Sequence, residues 1–158
     1  YHAGFWLQAS KMKNCFQSAF GNIPQIRYAV GHSLGGGVAT MYSARYGGVT
    51  EVVTFAAPRS HSKFKGCVNG YRVYHDYDPV THIPDFGLYK HGVSRVYRLD
   101  PQWNGGFLGF GQKYNGDRMI YYGSGCPNLP HGGLASATWE IARYSGIGIH
   151  NNYFPQWQ

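Results

Sequence analysis

Seven consecutive residues, Gly31-His32-Ser33-Leu34-Gly35-Gly36-Gly37, constrain this 158-residue chain more than any other stretch. They place a Gly-x-Ser-x-Gly pattern between two segments of different character. Ile26 to Val30 ahead of it is strand-like, and Val38 to Arg45 behind it reads as a helix. A serine on a sharp strand-to-helix turn is held so that its hydroxyl projects from a sheet. Glycines two positions to either side let neighbouring chain pass where a Cβ would clash. Gly35 and Gly36 also let the helix start close against the strand. The Leu34 amide, at the helix N-terminus, points where an oxyanion would form. The same residues fit a tight turn whose serine merely caps the helix. Which reading holds depends on whether the rest of the chain supplies a base and an acid in a workable order.

Periodicity outlines that rest. Trp6 to Phe20 reads as a helix, with Met12, Phe16 and Ala19/Phe20 at helical spacing and its aromatics expected in the core. Gly21-Asn22 stops it and Pro24 introduces the serine strand. After the second helix, closed by Gly47-Gly48, Val49 to Ala57 reads as a buried strand ended by Pro58. Arg59 to Gly70 reads as a polar loop and Tyr71 to His75 as the next strand, which Asp76-Tyr77-Asp78-Pro79 leaves. Val93 to Leu99 is a further strand, Asn104 to Asp117 a long glycine-rich loop or hairpin, and Met119 to Tyr122 a short edge strand. Leu134 to Tyr144 reads as a helix. Alternating helices and strands imply an α/β class with a mainly parallel sheet. Functional groups in that architecture sit beyond the carboxyl ends of strands, and Asp78 occupies such a position. An Asp-Pro turn accounts for it equally well on composition.

Composition narrows the partners. The formal charge is +7 with 13% charged residues, so the basicity is diffuse, and no Lys/Arg run speaks for nucleic acid. Attraction to an anionic interface is compatible with that charge. Three cysteines, Cys15, Cys67 and Cys126, leave at least one unpaired within this chain. No Cys/His spacing suits zinc, and no stretch approaches the roughly 18 apolar residues that span a bilayer. The chain opens without Met inside a structured segment, which is read as the C-terminal part of a larger protein.

Several ordered motifs together resemble the class 3 (fungal-type) lipase family of α/β-hydrolases. His2-x-Gly4-Phe5 before a helix, Gly31-His32-Ser33-Leu34-Gly35-Gly36, Phe55-Ala56-Ala57-Pro58-Arg59 and Asp78-Pro79-Val80-x-x-Ile83-Pro84 each match a family segment. The resemblance implies the α/β-hydrolase fold in a single domain, a mainly parallel sheet flanked by helices. It also implies that the family's N-terminal strands, lid and first oxyanion donor lie upstream of His2. By it Ser33 is the nucleophile, Asp78 the acid that orients a histidine, with Asp76 its local competitor, and the Leu34 amide one oxyanion donor. The chain order Ser, Asp, His is that of α/β-hydrolases.

Two histidines compete for the base. His150-Asn151-Asn152-Tyr153-Phe154 resembles the family's C-terminal His-x-x-Tyr-Phe, although Ile149 stands where the family often has an acid and the site lies 72 positions beyond Asp78. His131 lies 53 positions beyond Asp78, a better interval in a sequence that lacks the motif. His91 resembles a non-catalytic family histidine. His32 is expected to pack beside the nucleophile, His2 to make a structural hydrogen bond at the helix start, and His75 and His82 to be ordinary surface or strand residues. The function implied is hydrolysis of acylglycerol-type lipid esters through an acyl-enzyme, with no metal or organic cofactor. Partners are then a lipid or other carboxylic-ester substrate and a lipid–water interface, without nucleic acid; composition and family habit lean toward secretion. Alternatives are a catalytically silent hydrolase fold used for binding, or an esterase or phospholipase of the same fold.

Overall fold

The structure, a computed structural model, describes residues 2–62, 66–75, 78–84, 88–104 and 113–124. In chain order these form α1 (Ala3–Phe20), β1 (Ile26–His32), α2 (Leu34–Tyr46), β2 (Val49–Phe55), β3 (His61–Ser62) and β4 (Val68–His75). A 3-10 turn (Pro79–His82) follows, then β5 (Tyr89–Lys90), β6 (Val93–Asn104) and β7 (Lys113–Ser124). The helix read over Leu134 to Tyr144 lies outside the described residues, as do Asp76 and Cys126. Cys67 is disulfide-bonded, whereas Cys15 is free and exposed. No helix among the described residues is long and apolar enough to cross a membrane.

One five-stranded sheet runs β1-β2-β4-β6-β7, parallel from β1 to β6 and antiparallel at the β6–β7 pair. This is the mainly parallel α/β sheet the alternation implies. β3 and β5 form a separate two-stranded antiparallel ladder. The register puts Ala29 level with Val52 on one face, where α2 brings Ala39, and Val93 completes that cluster. Val52, Thr54, Arg72 and Tyr74 alternate along β2 and β4 as buried residues, the period-2 signature of strands covered on that side. On the other face Tyr71, Tyr97 and Tyr121 stack across β4, β6 and β7 at 5.9 and 5.2 Å between ring centres.

α1 docks on α2 rather than on the sheet directly. Phe5 and Ala9 are its buried residues, joined by Val38, Met41 and Tyr42 of α2 and flanked by half-buried Phe16. Phe5 lies so close over α2 that a Cβ at Gly37 would sit 2.6 Å from its ring. The expectation that the aromatics of this helix are core is corrected for Phe20 and Trp6, which are exposed, Phe20 at 63%, while Phe16 is half-buried. α1 has 18 residues to the 13 of α2, an excess of about 7–8 Å at 1.5 Å per residue. Phe16 meets Tyr42 edge-on at 5.7 Å, and the last turn of α1 overhangs. At the other crossing point Ser10 Oγ and Tyr46 OH share a 2.9 Å hydrogen bond, which with the nearby Arg45 holds the Tyr46 hydroxyl below the ordinary tyrosine range.

Arg95 fastens three strands near the amino end of the sheet. Its guanidinium reaches Glu51 on β2, Asn69 and the Tyr71 hydroxyl on β4 at 3.1 and 2.7 Å, and lies 3.8 Å over the Tyr71 ring. The Arg95 and Glu51 side chains are 30% and 19% exposed, so solvent screens the pair only in part. Arg95→Ala is expected to lower unfolding free energy by about 1–2 kcal/mol, since it removes several charge-assisted bonds and leaves Glu51 without this cation. A urea midpoint within error of wild type would reject that role for the clamp.

Candidate active site

The turn after β1 is built from one strained residue and close backbone contacts. Ser33 has φ 54 and ψ −126, and Ala56, directly after neighbouring β2, has φ 53; these are the only non-glycine residues of positive φ among those described. Such positions persist only where the surroundings over-determine them. Here Ser33 N–H donates to Phe55 O at 2.9 Å and Ala56 N–H to Val73 O at 3.0 Å, so each strained turn is tied to the end of the next strand. No sequence signal marks Ala56, because alanine ordinarily avoids this region. Ser33 occupies the N-cap position of α2, where its carbonyl accepts the first helix bonds while its side chain makes no cap bond to the helix.

Two of the motif's glycines are sterically required and one is not. A Cβ on Gly31 would lie 2.4 Å from Gly35 O, and one on Gly36 would lie 2.8 Å from the Ala57 Cβ and 3.2 Å from that of Thr54. A Cβ on Gly35 would meet nothing within 4 Å. The expectation that Gly35 admits a close neighbour by lacking a side chain is therefore corrected; its backbone, not its missing Cβ, packs against Gly31. Helix α2 begins at Leu34, four residues before the expected Val38, with Gly36 and Gly37 amides donating to Ser33 O at 3.0 and 3.3 Å. The Leu34 and Gly35 amides precede the first intrahelical bonds and so belong to the donors a helix start offers to an anion.

Asp78 is placed by β4. Asp78, three residues past that strand, is fully buried, and its Oδ1 accepts the Val80 N–H at 2.9 Å, capping the 3-10 turn. Arg59 N–H donates to Ile83 O at 2.8 Å, tying the segment after β2 to the loop that carries the acid. Backbone bonds thus run stepwise from the Ser33 turn through the ends of β2 and β4 to the Asp78 loop. Ser33 and Asp78 both stand beyond carboxyl ends of parallel strands, with β2 between their strands. Two strand spacings amount to about 10 Å, a gap of the order that one imidazole and its two hydrogen bonds bridge.

His150 and His131 both lie outside the described residues; Ser33 and Asp78 stand at the same end of the sheet, and the roles of all of them are taken up below as a proposal. The other histidines sort differently from expectation. His75 and His82, read as ordinary surface or strand residues, are both buried, at the end of β4 and of the 3-10 turn. The His2 ring makes no cap bond; it packs on Phe5 at 5.0 Å and Tyr89 at 5.5 Å, while its backbone starts α1 through a bond from Trp6 N–H to His2 O. His61, which no motif singles out, is fully buried with Nε2 2.7 Å from Gly66 O. Among the described residues no group of three or more His, Cys, Asp or Glu side chains could hold a metal ion.

An apolar groove of about 480 Å³ runs along the outer edge of β1 between α1 and α2, lined by Met12, Phe16, Tyr28, Val30, Leu34 and Val38 among others. Tyr28, Val30 and Leu34 are more than half exposed there. The family model described as Lipase (class 3) matches residues 2–87, more than half of the chain, including Ser33 and Asp78 and stopping before His91. No curated protein matches the chain.

Proposed function

The chain belongs to the class 3 lipase family, and we propose that it is a serine carboxylic-ester hydrolase whose triad is Ser33, Asp78 and His150. Hydrolase activity of the lipase and esterase kind follows from the family; the residues and the lipid-ester substrate are the proposal. The observation that carries it is the backbone of Ser33. Ser33 is held at φ 54 just past the carboxyl end of a parallel strand, tied to Phe55 O through its N–H, and backbone strain of this kind collects at reacting groups.

The chemistry is acyl transfer. A serine hydroxyl is a weak nucleophile until a neighbouring imidazole takes its proton. His150 is that base, oriented by the Asp78 carboxylate, which fixes the tautomer and stabilises the imidazolium. Ser33 Oγ adds to the ester carbonyl carbon, and the negative oxygen of the tetrahedral intermediate is met by the Leu34 N–H. The imidazolium returns the proton to the leaving alkoxide, and the alcohol departs from an acyl-Ser33. Water, deprotonated by the same imidazole, then adds to the acyl carbon. Collapse releases the carboxylic acid and restores Ser33. Exposed Leu34 and Ile83, beside the nucleophile and beyond the acid turn, support an apolar acyl substrate.

A fluorophosphonate that phosphonylates activated serines tests the assignment, with the adduct located by mass spectrometry. The expected adduct is on Ser33, absent in Ser33→Ala and in His150→Ala, and retained in His131→Ala. Loss in His131→Ala alone would transfer the base to His131. No adduct on a folded chain would favour a silent hydrolase fold used for binding.

A further inference from the structure

We infer that Thr81 is a positioning residue for the acid, keeping the Asp78 carboxylate in the orientation from which it accepts an imidazole N–H; this rests on Asp78 being the triad acid. Thr81 falls at an unspecified position of the Asp-Pro-Val segment, so nothing in the motif points to it. The hydrogen bonds do. Asp78 O accepts two bonds from Thr81, from Oγ1 at 2.8 Å and from N–H at 3.2 Å. Asp78 N–H donates to His75 O at 3.2 Å, and Asp78 Oδ1 accepts from Val80 N–H at 2.9 Å. Both peptide groups flanking the Asp78 Cα are therefore tied, and the Oδ1 bond fixes the side chain on that anchored base. A carboxylate has further lone pairs, so the Oδ1 bond does not exhaust its accepting capacity.

The hydroxyl matters because its bond adds to a short turn whose own backbone bonds are long. The 3-10 turn spans only Pro79–His82, and so short a turn has weak hydrogen-bond geometry of its own. Pro79 contributes a fixed φ but no N–H. Thr81 N–H to Asp78 O and Ile83 N–H to Val80 O, at 3.2 and 3.3 Å, are the long backbone bonds that remain, and the 2.8 Å hydroxyl bond is the shortest of the set. Thr81 and Asp78 are both fully buried, so water replaces a deleted hydroxyl poorly. When the turn relaxes, Val80 N–H withdraws from Oδ1 and the carboxylate gains rotational freedom that costs catalysis rather than binding.

A structural role alone would lower stability; positioning also moves catalytic parameters. The carboxylate favours the imidazolium and so raises the histidine pKa. Loosening it lowers that pKa, and the acidic limb of the rate profile moves to lower pH while the plateau falls. The experiment measures kcat and KM against pH on a soluble short-chain p-nitrophenyl ester for wild type, Thr81→Val, Thr81→Ala, Thr81→Ser and Asp78→Asn. Thr81→Val and Thr81→Ala are expected to lose about five- to tenfold in plateau kcat, the worth of one buried hydrogen bond. KM should hold, the acidic limb should move down, and Thr81→Ser should recover near wild-type values. Thr81→Ala removes the hydroxyl without adding bulk, so it carries the test if Thr81→Val fails to fold. Full kcat with an unmoved limb in both variants, or a serine variant as slow as alanine, overturns the inference. Asp78→Asn at wild-type rate would instead remove Asp78 from the triad, a result separable from the behaviour of Thr81.

Discussion

Ser33→Gly is expected to abolish ester hydrolysis and at the same time raise the melting temperature by about 2–4 °C. The two effects come from different atoms of one residue. Losing Oγ removes the nucleophile, a loss of ~10⁶-fold in turnover for a serine that works within a triad. Losing Cβ relieves the backbone. At φ 54 and ψ −126 Ser33 stands outside the regions L-residues occupy freely, at a cost of about 1–3 kcal/mol. Glycine adopts such angles without that penalty. Its greater freedom in the unfolded chain offsets about 0.4–1 kcal/mol. The remainder, about 1 kcal/mol, corresponds to the stated shift for a domain of this length. Ser33→Ala is the control, since it is equally inactive but keeps the strained Cβ. Parallel calorimetric melts check the split, and a glycine variant less stable than the alanine variant would contradict the strain assignment.

Gly31→Ala should destabilise the fold by about 3–5 kcal/mol, whereas Gly35→Ala should leave it unchanged or slightly more stable. The added methyl at Gly31 meets the Gly35 carbonyl oxygen at 2.4 Å and the Gly36 nitrogen at 2.5 Å. Both are backbone atoms fixed by the first turn of α2, so no side chain can swing aside. Overpacking against movable neighbours costs about 1–3 kcal/mol, and displacing main chain belongs in the upper tail of single-substitution effects. At Gly35 the methyl enters open space, and alanine in a helix gains about 0.5–1 kcal/mol over glycine. Chemical denaturation of the two variants checks the contrast. Equal losses would mean that the motif's glycines serve the turn in the same way, contrary to the geometry.

Legibility followed the range of the interactions. The strand-turn-helix around Ser33 is visible because a short strand-like run meets a glycine-flanked serine and a helical segment follows within a few residues. The start of α2 is not, because Gly35-Gly36-Gly37 has low intrinsic helix propensity and helix is imposed there by packing. Gly36 is seated against Thr54 and Ala57, and Gly37 beneath Phe5. β6 and β7 are each 12 residues long, against the short segments read from Val93 to Leu99 and Met119 to Tyr122. Pro101 and the glycines around it argue against strand locally. Pairing overrides them, with a register shift between Pro101 and Trp103 absorbing the irregularity. At the site, Ser33 and Asp78 were legible through motifs. Ala56 and Thr81 were not: the positive φ of Ala56 arises where the end of β2 is tied to β4, and Thr81 stands at a position the motif leaves unspecified although its bond to Asp78 is local.

β1 leads into Ser33, the proposed nucleophile, yet among the described residues its ladder bonds run to β2 alone. A protein does not open everywhere at once; segments with fewer cross-links separate at lower free energy than the molecule as a whole. Among the described residues β2, β4 and β6 are paired on both sides and share the Arg95 clamp, while β1, like β7, is paired on one side and exposes Tyr28 and Val30. The peptide bond that leaves β1 is also the one whose Ser33 amide is held by Phe55 O. Detaching this strand therefore undoes the reactive turn in the same event. With Ser33 as the proposed nucleophile, activity is expected to fall at a lower temperature than the described sheet as a whole melts, and parallel activity and calorimetric melts check this.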